Sequence, residues 1–241
     1  MSAPLIVVPL AIELTILITT FAPLTFRNRF TNQPNLGISL WLLSFLAAFV
    51  STLIALAVAI WSIFDTWHEL ESHSQPLWHT LLFSFAPWVV LGLAGISMAI
   101  FVQKLEPVRE HNQKETSYRN LPSKRLSDFQ SVEVREIDLP VRLAFTVGNG
   151  KSGTIFLSSE VSRMLTKDEL EALLWHELAH AKFRHNAIKS LVKVIRHLGG
   201  VVLASRVLAS EVDRLCELAA DNYARRKVSP DVLASARSSF N

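Results

Sequence analysis

The chain has 241 residues, half of them hydrophobic, with only 8 glycines and a mean hydropathy of +0.30, a profile that excludes a disordered composition and points to a membrane protein. The net charge is +3 and the pI near 9.2, yet the basic residues alternate with acids and form no dense run, which argues against nucleic acid as a partner and for a solvated surface beside a membrane. The single cysteine, Cys216, excludes an internal disulfide, fits a reducing compartment and reads as a buried structural thiol.

Almost everything before Val102 is uncharged, whereas Lys, Arg, Asp and Glu crowd the part after Gln103. Three stretches are long and apolar enough to cross a hydrocarbon core of about 20 helical residues: roughly 4–26, 36–64 and 77–102. The first lacks the basic leader and cleavage site of a signal peptide and reads as a retained helix. Its Glu13 is costly in lipid, and a carboxyl turned into the bundle or up at the interface is a better reading than a functional one. Arg27 and Arg29 follow the first stretch, and Lys104, Arg109, Lys114 and Arg119 follow the third. The second loop holds Asp65, Glu69 and Glu71 without a cation, flanked by Trp67 and Trp78. This distribution puts the N-terminus outside and residues after 103 in the cytoplasm. The expected organisation is a membrane domain over 1–103, a linker over 104–130 and a catalytic domain over 131–241.

The linker is polar, with Pro107 and Pro122. Three short β-like runs follow, Val132–Ile137, Val141–Val147 and Thr154–Leu157, the last two joined as a hairpin through Gly148–Gly153. A strand after Gly-Lys-Ser argues for a turn rather than a phosphate loop. Thr166-Lys167-Asp168-Glu169 has the form of a capping box, so a helix begins at Lys167 and runs to about Arg184 on the spacing of Leu170, Leu173, Leu174, Leu178 and Ala181.

That helix carries His176-Glu177-Leu178-Ala179-His180. Histidines four apart share one face and can direct two imidazole nitrogens at one zinc ion, while Glu177, off that axis, is free to take a proton from the water the zinc activates and pass it to the leaving amine. The apolar neighbours Trp175, Leu178 and Ala179 make a chance match on an exposed face the weaker alternative. Catalytic zinc needs a third protein ligand. His185 does not have the spacing of a third histidine. Glu217 is the better candidate, with Asp221 one turn on to bond the outer nitrogen of a ligand histidine. Glu211 and Asp213 are rival ligands that lack such a partner. Between the two motifs, Ala187–Ser210 reads as one basic amphipathic helix, lying on the cytoplasmic leaflet or packed on the domain.

These residues, in this order, resemble the gluzincin branch of membrane metallopeptidases, with His-Glu-x-x-His followed by Glu-x-x-x-Asp. Within it the chain looks most like the BlaR/MecR-type signal-transducer peptidases (peptidase family M56) across Ala144 to Arg225, with Gly153-Thr154-Ile155-Phe156-Leu157-Ser158-Ser159 and Arg184-His185-Asn186 as further shared stretches. The HtpX and CAAX prenyl protease group (M48) shows a similar core and is the near alternative. The resemblance implies a mainly α protein: three transmembrane helices and a cytoplasmic α+β zincin-like domain with a small sheet. It also implies zinc on His176, His180 and Glu217, Glu177 as general base, and substrate backbone pairing along Thr154–Leu157. The expected partners are a protein or peptide substrate and the lipid bilayer. A cytosolic repressor is the substrate this resemblance suggests, with misfolded membrane proteins the alternative; the short outer loops make direct β-lactam sensing unexpected. His185, Arg225 and Tyr223 are unranked candidates for an oxyanion donor. A zinc-stabilised regulator without catalysis is the competing class, and the retained Glu177 speaks against it.

Overall fold

The computed structural model describes residues 4–71, 121–198 and 203–239. The chain divides into two compact units, one of Met1–Arg27 with Ser39–Glu106 and one of Asn28–Ile38 with Pro107–Asn241.

The first unit holds α1 (Pro4–Phe26) and most of α2 (Pro34–Glu71). Their contact is made by small residues: Ala11, Ala22, Ala48, Ser51 and Ala55 are buried, and the Ser51 hydroxyl donates to the Ala11 carbonyl at 2.8 Å. Large apolar side chains such as Phe21, Leu43, Phe49 and Trp61 are exposed instead. Small residues inside and large ones outside follow the packing rule of helices in lipid, apart from the fully buried Trp41, which meets Phe26 of α1 edge-on at 5.8 Å. Pro34–Val58 has a mean hydropathy of 2.3 and is long and apolar enough to cross a membrane; among the described residues no other helix is. Glu13 is exposed on α1. The third apolar stretch, 77–102, lies outside the described residues. α2 does not stop at Phe64 but continues through Asp65, Glu69 and Glu71, which the sequence reading places in a loop; no Gly or Pro falls between Gly37 and Glu71 to end it.

The second unit is a four-stranded sheet in the order β1-β2-β4-β3 with helices packed on it. β1 (Ser123–Phe129) and β2 (Val132–Ile137) form an antiparallel hairpin, β2 runs parallel to β4 (Thr154–Ser158), and β3 (Ala144–Val147) pairs antiparallel with β4, Phe145 opposite Phe156. The predicted runs thus become β2, β3 and β4. β1 falls inside the stretch expected to be linker, because its charged, exposed sequence has no apolar alternation and its turn, Gln130-Ser131, reaches positive φ (50° and 68°) without the usual glycine. β4, whose residues the resemblance assigns to substrate pairing, is an interior strand. Its backbone groups are already spent on β2 and β3, so among the described residues the edge strand on that side of the sheet is β3.

Short α3 (Ser159–Met164) leads to α4 (Lys167–Lys182), which opens with the full predicted capping box: Thr166 accepts from the Glu169 amide, and Glu169 accepts from the Thr166 amide. α4 is buried without interruption from Ala172 to Ala181. Its Leu173, Leu174 and Leu178 pack with Val134, Ile155 and Leu157 of the sheet and with Leu233 and Ala236 of the last helix. Arg184, at φ 56°, breaks the helix direction so that α5 (His185–Leu198) starts at once. α6 (Leu203–Ala224) and α7 (Pro230–Ser238) follow. The predicted single helix over 187–210 is therefore two elements, the end of α5 and the start of α6.

Candidate metal centre

α4 brings His176 and His180 to the floor of a cleft of about 570 Å³, walled on one side by Leu143–Gly148, which spans β3, and on the other by Asn186, Lys189 and Ser190 of α5. One turn apart, the two Nε2 atoms lie 3.2 Å from each other. Glu217 on α6 completes the group: its Oε2 is 3.4 Å from His176 Nε2 and its Oε1 3.8 Å from His180 Nε2. One atom from each of the three lies within 4.8 Å of the others, so together they could hold a metal ion. Two imidazole nitrogens and one carboxylate oxygen form a donor set that suits zinc. The rivals are spent elsewhere. Glu211 is buried, takes Arg214 at 2.8 Å and accepts from the Asn28 amide at 3.3 Å; Asp213 takes Lys189 at 2.8 Å.

Each histidine is held from behind. Asp221 Oδ1 is 3.0 Å from His176 Nδ1, the bond its place on α6 predicts, and Arg237 of α7 donates to the other carboxylate oxygen. His185 Nδ1 is 3.0 Å from His180 Nδ1. A lone pair on His180 Nε2 requires the proton on Nδ1, donated to His185, whose own proton then sits on Nε2, buried with no partner among the described residues. His185 is fully buried and does not line the cleft, nor do Arg225 and Tyr223. None of the three candidate oxyanion donors therefore faces it.

Burial opposes charge on His176, but Asp221 and Glu217 outweigh it and raise its pKa to about 9, whereas burial and the neighbouring His176 lower His180 to about 3. Burial would raise Glu217 too, and the bonds from His176 and Lys189 reverse the sign and hold its carboxyl well below the usual range. Glu177 is raised by burial, offset in part by His176 and by the Thr146 hydroxyl, which lies 2.8 Å from its Oε2. Thr146 sits on β3, and its carbonyl accepts from Asn186. Composition and spacing give no sign of Thr146, Asn186 or Lys189, since each acts across elements that the sequence does not pair.

Residues 114–236, just over half of the chain, match the model of peptidase family M48. The chain belongs to peptidase family M48. It is thus a metallopeptidase, and the match falls on the group held as the near alternative to the BlaR/MecR type. A protease HtpX homolog of Archaeoglobus fulgidus is 40% identical over 67 residues, 26% of this chain. The match spans 20% of that protein's length. No solved structure matches this M48 peptidase.

Proposed function

We propose that the protein is a membrane-anchored zinc endopeptidase that hydrolyses peptide bonds of membrane proteins at the cytoplasmic face, a quality-control role of the HtpX kind. The observation that carries this reading is the convergence of His176, His180 and Glu217 beside the buried Glu177 in a cleft bordered by an open strand edge. His176, His180 and Glu217 would hold the zinc. When bound, zinc supplies a Lewis acid for the scissile carbonyl and acidifies water. Thr146 occupies Oε2 of Glu177, which leaves Oε1 to take the proton of the attacking water and return it to the leaving amine nitrogen. Burial favours that protonated intermediate state of Glu177. The edge of β3 offers main-chain groups to an extended substrate.

We take the anchor to be spans over about 4–26, 36–64 and 77–102, the last on its sequence alone, with the catalytic domain, which includes β1, on the cytoplasmic side. The exposed large apolar side chains of α1 and α2 support lipid contact. Loop 28–38, with Arg29, belongs to the same compact unit as the catalytic residues, which supports a shared side of the membrane. The test is Glu177→Gln. Its expected activity on a denatured membrane protein is at least about a thousandfold lower, with metal content unchanged. Cells carrying it accumulate integral membrane proteins rather than one soluble repressor. Wild-type cleavage by the variant overturns the catalytic reading.

A further inference from the structure

Lys189 stands in the wall of the cleft on α5, and the proposed mechanism gives it no part. Its Nζ lies 2.8 Å from Glu217 Oε1 and 2.8 Å from Asp213 Oδ1. Asp213 and Glu217 are four apart on α6, so their carboxylates project side by side, and Lys189 closes the bridge from the neighbouring helix. Only 23% of its side chain is exposed, against 64% for Asp213. The two oxygens of Glu217 consequently differ. Oε1 accepts a charge-assisted bond from the ammonium, while Oε2 lies 3.4 Å from His176 Nε2.

A carboxylate can ligate a cation through one oxygen or two. Resting on the reading of His176, His180 and Glu217 as the metal site, we propose that Lys189 is a positioning residue that occupies Oε1, so that Glu217 offers the metal a single oxygen and a coordination position stays open for substrate. A lysine that merely ties α5 to α6 would affect stability and leave ligation unchanged. The two roles separate in a spectrum.

The full chain is purified in detergent, stripped with a chelator and loaded with cobalt(II), whose visible absorption is several-fold stronger in four-coordinate than in five- or six-coordinate sites. Lys189→Met is expected to lower that absorption at least twofold, and Lys189→Arg to recover most of it. Asp213→Asn, which keeps the lysine but removes its second anchor, gives an intermediate spectrum. A Lys189→Met spectrum that superimposes on wild type overturns the inference, as does an unchanged Asp213→Asn spectrum should Lys189→Met fail to fold by circular dichroism. Wild-type protein that takes up no cobalt overturns the metal-site reading beneath it, a separate failure.

Discussion

Asp221 and Cys216 stand on one helix, α6, and show how differently the same backbone can use a polar atom. Asp221, 4% exposed, spends one oxygen on His176 and the other on Arg237. Asp221→Asn removes the charge that fixes the His176 tautomer, and metal affinity is expected to fall about 10- to 100-fold, read by competition with a chelator. Cys216 faces the interior, and burial pushes its thiol up to about 12. It is expected to resist an aromatic disulfide reagent in the folded chain and to react on unfolding; rapid labelling of native protein would contradict that. The pairing of His176 with His180, and of Glu217 with Asp221, was legible in the sequence because spacing four on a helix is itself geometry. His185 was read in the sequence as a candidate oxyanion donor, and its contact with His180 was not legible there. Its position five after His180 points it off the ligand face of a continuous helix, and Arg184 in the left-handed region is what returns it to His180.

At the scale of elements, Gly37, in the first turn of α2, makes a close approach to its neighbours. A Cβ there would lie 2.5 Å from Phe30 Cβ and 3.0 Å from Leu215 Cδ1. Gly37→Ala is therefore expected to destabilise by about 1–3 kcal/mol, measured as a fall in thermal midpoint, through overpacking rather than backbone strain. β2, β3, β4 and the capped start of α4 followed from local signals: alternation, turn residues and a reciprocal cap. β1 did not, since as an exposed edge strand it needs no apolar face. The division of 187–210 between α5 and α6 was also hidden, because the apolar stripe continues in sequence from one helix into the other.

For the molecule as a whole, segment 28–38 is built into the unit that bears His176, His180 and Glu217. Its Asn28 amide donates to the buried Glu211, and Thr31 accepts from Asn222 at 3.4 Å. A chain starting at Pro107 leaves Glu211 short of a bond, a loss of about 1–3 kcal/mol. It is expected to melt lower and to aggregate more on size exclusion than the full chain in detergent. Equal melting would show the loop to be dispensable. By itself the sequence determined the apolar half and the helical spacing of His176 with His180 and of Glu217 with Asp221, since hydropathy and helical periodicity are local quantities. The tertiary structure alone decided that β3 rather than β4 is the edge strand among the described residues, that Thr146 bonds Glu177, that Lys189 reaches Glu217, and that segment 28–38 belongs to the unit holding His176, His180 and Glu217. Each of these is a contact between segments far apart in the chain, and no local pattern encodes which segments meet.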